Sequence, residues 1–408
     1  MSTPVTEKNI TLVQHDHISH AIGEMQGYRL QMEDAYCDLD DVVEINLHPS
    51  HPAYRDANTD LVPNTIERNR TDVSLTSITS EATNASMNTA NSVITTTTTN
   101  SDILKTMRLN VYGVFDGHGG TSASKFVSEI LPFTIKRAIE TEISKLTLDD
   151  KLKILNPDND EALLLINFPK ILKDCFMKVD SKFYYDPQNN SGSTAVVVVI
   201  FKNYIITANT GDSRAILSRN GFVKNLSFDH KPKNLGEFMR IHNDGGYVSQ
   251  NRVNSVLALS RAFGDFNFKL HNNNNYGRFN QSKNNKRIKL TAPEEFQVTV
   301  EPDIIIQRIN KTEDEFLVIA CDGIWDCYKS NELLELIRHQ LSLGKKLTEI
   351  NEIVLSNSIA RANTVTGVGF DNMTIIVVAL HSETNGLDAW YRLTKNKILD
   401  EKFGPLGH

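Results

Sequence analysis

Apolar and polar positions divide the chain into elements before any chemistry is considered. Residues 111–115 form an apolar, β-branched and aromatic run that reads as a buried strand, and it stops on Asp116-Gly117-His118-Gly119-Gly120. Ala123, Phe126, Val127, Ile130 and Leu131 then recur at helical spacing, and a second helix is predicted from near Pro169, with Ile171, Leu172, Cys175, Phe176, Val179 and Phe183 on one face. Short runs at 191–194, 195–201, 204–209, 213–218 and 222–226, with turn signals at Gly211-Asp212 and Asn220-Gly221, predict a meander of antiparallel strands. A polar helix over about 233–243 stops at Gly245-Gly246, and 251–265 returns to extended structure. Residues 316–321 are a buried strand ending on Asp322-Gly323-Ile324-Trp325-Asp326. Helices follow across 330–362, 373–380 is another core strand, and 389–399 closes the chain as a helix.

Three stretches break the pattern. Residues 1–20 show no clear periodicity and read as a partly ordered lead-in. Between Thr71 and Asp102, 20 of 32 residues are Ser, Thr or Asn, too few apolar groups to offset the entropy of ordering, so about 44–106 reads as a disordered insertion. Residues 270–293 hold four consecutive Asn and the basic cluster Lys283, Lys286, Arg287 and Lys289, read as a solvated loop with a nuclear import signal or a contact with an acidic partner as the weaker alternative. The expected organisation is a lead-in over 1–20, one domain over 21–382 carrying both insertions, and a helical tail over 383–408.

Composition narrows the class. The chain has 408 residues, 40% hydrophobic, with a formal charge of -7, which fits a soluble globular protein and gives no bulk attraction to nucleic acid. A phosphorylated substrate therefore needs local positive charge or metal ions. No apolar run approaches the roughly 18 residues of a membrane span, and the opening residues lack a secretory or transit pattern. Cys37, Cys175, Cys321 and Cys327 are scattered without Cys-x-x-Cys spacing and read as reduced, structural thiols of a cytoplasmic protein, the nucleus staying open.

Three apolar strands end in, or begin just after, an aspartate: Asp116, Asp322 and Asp371. A further acidic pair, Glu33 and Asp34, lies in the joint between two short strands over 23–38, together with Arg29. If these meet, five like charges cannot all stay ionised without cations. Carboxylate sites lacking Cys or paired His favour Mg²⁺ or Mn²⁺ over Zn²⁺. Two such ions about 3.5–4 Å apart can bind a phosphate and activate water against it. Arg29 offers a planar fork for two phosphate oxygens. His118 can protonate a leaving alkoxide, a step worth about 10²- to 10⁴-fold in rate.

At this point the chain resembles the metal-dependent protein phosphatases of the 2C type (PPM family), which act on phosphoserine and phosphothreonine. The matching stretches are Gly27-Tyr28-Arg29 to Met32-Glu33-Asp34, Asp116-Gly117-His118-Gly119-Gly120, Gly192-Ser193-Thr194-Ala195, Gly211-Asp212-Ser213-Arg214 and Asp229-His230-Lys231-Pro232. They continue with Arg252-Val253-Asn254, Leu259-Ser260-Arg261-Ala262-Phe263-Gly264-Asp265, Asp322-Gly323-Ile324-Trp325-Asp326 and Asp371-Asn372.

The resemblance implies an α+β fold, an α/β/β/α sandwich of two packed antiparallel sheets flanked by helices. It implies Asp116 as the ligand shared by two Mg²⁺ or Mn²⁺ ions, Asp322 and Asp371 completing one, and Glu33 with the Gly117 carbonyl on the other. Asp34 would hold a metal-bound water, Arg29 the phosphate, and His118 would be the general acid. Asp212, Asp322 and Asp326 would frame a weaker third metal site; without the resemblance Gly211-Asp212 reads as a turn. Ser255 stands where the family usually has Gly. The expected partners are phosphoprotein substrates, not nucleic acid or membrane, and the chain is expected to act as a monomer. The competing readings are a catalytically dead scaffold, disfavoured because no ligand is replaced, and a two-metal nuclease or small-molecule phosphoesterase; the negative charge and lack of a basic groove count against the nuclease.

Overall fold

The two-residue period of the strands resolves into two antiparallel sheets stacked face to face with helices outside both. The computed structural model of the chain describes residues 3–47, 104–157, 159–269, 291–381 and 384–404. Its strands begin with β1 (Val5–Gln14), β2 (Ser19–Gly27), β3 (Ala35–Asn46), β4 (Leu104–Phe115), β5 (Gly117–His118), β6 (Gly192–Ser193), β7 (Ala195–Phe201) and β8 (Tyr204–Thr210). They continue with β9 (Arg214–Arg219), β10 (Phe222–Asn225), β11 (Val248–Ser249), β12 (Arg252–Val253), β13 (Phe263–Gly264), β14 (Asp303–Arg308), β15 (Asp314–Ala320) and β16 (Met373–Ala379). The helices are α1 (Ser122–Ser144), α2 (Leu148–Leu155), α3 (Phe168–Tyr184), α4 (Leu235–Asn243), α5 (Asp322–Trp325), α6 (Ser330–Ser342), α7 (Leu347–Ala360) and α8 (Gly386–Phe403).

One sheet runs β1-β2-β16-β15-β9-β10 and the other β14-β8-β7-β4-β3. Along β7, Val196, Val198 and Ile200 join Ile22, Val114, Leu317 and Ile376 between the sheets. The intervening Val197, Val199 and Phe201 point outward onto Leu131, Ile135 and Phe176 of α1 and α3. On the far side Phe316, Val318, Ile375 and Val377 pack against α6, α7 and Trp390 of α8. With both faces covered, β7, β15 and β16 are buried at every position, which is why they read as continuous apolar runs. Each such side chain contributes roughly 1.5–3 kcal/mol by leaving water. α1 buries Ala123, Val127, Leu131, Ile135, Ile139 and Ile143, a stripe at every fourth residue. The four-layer α+β sandwich is the one the sequence led us to expect.

Four local expectations change. The lead-in over 1–20 is a correction: Val5–Gln14 is an edge strand paired with β2 from Val5↔Gly27 to Gln14↔Ser19. Its side chains are mostly exposed, so backbone hydrogen bonds hold it and no alternation marks it in the sequence. The predicted meander is in fact split: β7 and β8 pair in one sheet, β9 and β10 in the other, and the chain crosses between them at Gly211-Asp212. Residues 251–265 are not one extended run, because Asn251, Asn254, Ser255 and Asp265 all take left-handed backbone angles. That angle at Ser255 is the conformation glycine adopts without cost. Finally, β3 and β4 stay paired out to Asn46↔Leu104, so strand continues into the segment read as an insertion from 44 to 106. The remainder of that segment, and 270–290 of the second one, lie outside the described residues.

Candidate active site

The acids converge because strand ends of both sheets meet at one edge of the sandwich. Ala35 pairs with Phe115 at the last rung of β3 and β4, so Asp34 and Asp116 leave the sheet side by side. In the other sheet Ala320 pairs with Ile375, which brings Asp322 beside Asp371-Asn372. Gly323 lies so close to the Asn372 carbonyl that a Cβ there would collide with it. Asp212 arrives from the sheet crossing after Gly211, whose positive φ and tight contact on Thr194 require glycine. Carboxylate oxygens of Asp116, Asp212 and Asp322 all lie within 4.8 Å of one another, and Asp34, Asp116 and the Cys321 thiol form a second such group. Asp116 belongs to both.

Burial and mutual repulsion govern these groups. Burial first, then the charges of Asp322, Asp34, Asp212 and Asp371, hold the Asp116 carboxyl well above its ordinary range. Asp322 is raised in the same way by burial and by Asp212, Asp371 and Asp326, with Lys231 opposing. Burial pushes Asp34 up to about 7, although Thr374 Oγ1 donates to it at 2.7 Å and the Cys321 thiol also bonds it. Asp326 rises through burial and the charges of Asp212 and Asp371, against Lys231. A cluster of this kind stores like charge that a cation would relieve, and its donors are hard oxygens. The residues present therefore fit a metal cation.

The loop bearing Arg29 and Glu33 is fastened from two sides. Asn372 Oδ1 accepts from the Glu33 N–H at 2.8 Å, and Asn372 Nδ2 donates to the carbonyls of Gln26 at 2.8 Å and Gln31 at 3.1 Å. Ser124 Oγ donates to the Glu33 carbonyl at 2.5 Å, and a Cβ on Gly117 would strike that same oxygen. Gly117 backbone is thus in direct contact with the acidic loop. The Glu33 carboxylate stands outside both tight groups and accepts from Gln31 Nε2 at 2.6 Å. Asp371 also stands outside them, its Oδ2 accepting from Arg29 Nη2 at 2.5 Å. Burial disfavours the Arg29 charge, but Asp371, Asp116 and Asp322 more than compensate.

His118 follows Gly117 in β5, and its Nε2 lies 2.6 Å from Asp265 Oδ2. Burial disfavours the imidazolium, yet Asp265, Asp212 and Glu33 outweigh it and raise the pKa above that of a free histidine. The ring can therefore carry a proton to a substrate oxygen.

Several site residues escaped sequence reasoning. Lys231 is bound to Asp212, and its ammonium offsets part of the charge on Asp322 and Asp326. Its only signal was membership of the Asp229-His230-Lys231-Pro232 stretch. Thr194 accepts from the Asp116 N–H at 3.1 Å and bonds Ser213 Oγ at 2.7 Å, fixing the start of the Asp116 turn. Cys321, read as structural, touches the site; burial and then Asp34, Asp116 and Asp322 keep it a neutral thiol. All four cysteines are free and buried.

Comparison with known proteins gives a consistent result. A family profile described as Protein phosphatase 2C matches residues 73–367, which includes every one of the aspartates above except Asp34 and Asp371. The chain is 39% identical over 325 residues to Protein phosphatase 2C homolog 4 of Saccharomyces cerevisiae, covering 74% of this chain and 82% of that protein. It is 31% identical over 401 residues to Protein phosphatase 2C homolog 3 of Schizosaccharomyces pombe, covering 98% of this chain and 73% of the relative. Among solved structures, a serine-threonine phosphatase 2C from Toxoplasma gondii superposes with a TM-score of 0.55 at 18% identity, over 91% of this chain and 99% of that one. That likeness establishes the sandwich fold.

Proposed function

The chain belongs to the protein phosphatase 2C family of metal-dependent serine/threonine phosphatases, and from that premise we propose how its own residues divide the work. Asp116 would be the ligand shared by two ions, Asp322 and Asp371 would complete one, and Glu33 with the Gly117 carbonyl would complete the other. The observation that carries this reading is that the Asp116 carboxylate lies within 4.8 Å both of Asp212 and Asp322 oxygens and of Asp34, reached from strand ends far apart in the chain. Mg²⁺ or Mn²⁺ suits the hard-oxygen set. Bound there, such ions supply a water of lowered pKa and neutralise charge at the phosphate.

The protein does the rest. Arg29 leaves Asp371 to grip two phosphate oxygens, since its side chain is half exposed and can turn toward a substrate. Asp34, buried and held by Thr374, accepts a hydrogen bond from the attacking water. His118 delivers a proton to the serine or threonine oxygen as the P–O bond breaks. Asp212, Asp322 and Asp326 frame a weaker third cation site, for which Lys231 competes at Asp212. The substrates are phosphoproteins, met in the cytoplasm or the nucleus.

Hydrolysis of a phosphothreonine peptide tests this reading. Activity should vanish with chelator, return with Mn²⁺, and be absent from Asp116→Ala under both conditions. Turnover that survives chelation would overturn the assignment of the acids as ligands.

A further inference from the structure

His118 does not stand alone, and its partner is held by a construction that no role so far explains. β13, β6 and β5 form a three-stranded ribbon in which Gly192 pairs with His118 on one side and with Gly264 on the other. Asp265, the residue after β13, reaches across Gly192 to His118 Nε2 at 2.6 Å. A Cβ on Gly192 would sit on top of both His118 Nε2 and the Asp265 carboxylate. The glycine is what leaves the bridge room to form.

Asp265 is fixed on both flanks. Its backbone is left-handed at φ 49°, a strained conformation for a non-glycine residue. Immediately before it, the Gly264 N–H donates to Asp180 Oδ1 at 2.8 Å. Four residues after it, Lys269 Nζ donates to both Asp180 oxygens, at 2.9 and 2.8 Å, and to the Ala262 carbonyl at 2.8 Å. The Lys269 and Asp180 side chains are both 0% exposed. A fully buried ion pair gives little net stability compared with apolar packing, so its value lies in fixing geometry. Here it fixes the turn that aims Asp265.

We infer that Asp265, clamped by the buried Asp180–Lys269 pair and passing over Gly192, is the positioning residue for His118. With Nε2 held, Nδ1 is the ring nitrogen left to give its proton to the substrate. The ester P–O bond breaks with its electron pair on the serine or threonine oxygen, that oxygen takes the Nδ1 proton, water forms the new bond to phosphorus while releasing one proton to solvent, and solvent returns a proton to the ring. Asp265 acts through the imidazole it holds.

This inference rests on the general-acid assignment of His118, and the test separates the two. A threonine alkoxide needs a proton as it leaves, whereas p-nitrophenolate does not. The full chain with Mn²⁺ is assayed on a phosphothreonine peptide and on p-nitrophenyl phosphate, for wild type, Asp265→Asn, Gly192→Ala, His118→Gln and Asp265→Asn/His118→Gln. Asp265→Asn should lower kcat on the peptide by about 10- to 100-fold with KM nearly unchanged, and on p-nitrophenyl phosphate by less than about threefold. Gly192→Ala, which keeps both partners and inserts a methyl between them, should show the same selectivity. The double variant should be no slower than His118→Gln. Equal losses on both substrates, additive losses in the double variant, or no loss from Asp265→Asn would each overturn the positioning role. Loss of selectivity in His118→Gln itself would instead remove the general-acid assignment, and with it this inference.

Discussion

Two buried groups of charge lie in this molecule, and they are built on opposite principles. Around Glu237, cations and anions alternate: Arg261 Nη2 lies 2.8 Å and Arg240 Nη1 2.8 Å from its carboxylate, and Arg261 Nη1 donates to Asp303 at 2.8 Å. His230 Nε2 lies 3.1 Å from the other oxygen of Asp303. Burial alone would raise Glu237, but Arg261 and Arg240 override it and pull the carboxyl down to about 2. Asp303 is drawn to about 2 by His230 beside it, against burial, with Arg261 helping. At the strand ends, Asp34, Asp116, Asp212, Asp322, Asp326 and Asp371 outnumber the cations beside them, Arg29, Lys231 and Arg214. There burial and repulsion drive Asp116, Asp322 and Asp326 up instead, and Asp34 to about 7. The first group is complete within the chain, and the second is completed by something brought from outside. A buried cluster whose own charges cancel is architecture; one whose charges do not cancel is a place to bind.

The contrast can be broken most sharply at Asp116. Replacing it with Ala should lower kcat/KM on a phosphothreonine peptide by roughly 10³-fold or more, since several kcal/mol of charge stabilisation is lost. The melting temperature of the metal-free variant should not fall, because one member of a repelling set is gone. Glu237→Ala should do the reverse: about 3–5 kcal/mol less stability in urea denaturation, because Arg240 and Arg261 lose a buried partner, with hydrolysis by the folded fraction largely kept.

Acid provides the next test. Glu237 has a folded pKa of about 2 against an ordinary 4.5, so its contribution is fully present above about pH 4.5 and is lost as pH falls toward 2. Stability should drop by up to about 3 kcal/mol across that window, and Glu237→Gln should flatten the slope. The smallest effect belongs to the metal. Mn²⁺ at about 100 times its Kd should add about 2.7 kcal/mol to wild-type stability and little to Asp116→Ala, read by thermal melting with and without chelator.

How much of this was legible in the residues depended on period and on where strands stop. The core strands announced themselves, because covering both faces of a sheet leaves nothing polar to interrupt the run, as in β7 and β16. Asp116 and Asp322 were visible as the residues at which apolar runs end, and Asp371 as the one just before a run begins. What stayed hidden was whatever depends on distant backbone. Asp212 looked like a hairpin turn because a crossing between sheets and a turn within one use the same Gly-Asp signal. β1 was missed because an exposed edge strand needs no alternating side chains. Asp265 and Gly192 carry no local mark of partnership: 73 residues apart, they meet only because β6 and β13 pair. Lys269 and Asp180 are further still from any pattern, since a buried lysine reads in sequence like any surface one.

The long ladder joining β3 to β4 has a practical corollary for anyone wishing to build on this enzyme. Eleven residue steps separate Ala35↔Phe115, beside Asp34 and Asp116, from Asn46↔Leu104 at the opposite tip. At about 3.4 Å per residue that is roughly 35 Å of rigid hairpin. Cargo spliced in beyond Asn46 would ride at arm's length from the reaction centre, making that tip the natural graft point for a reporter or a targeting module.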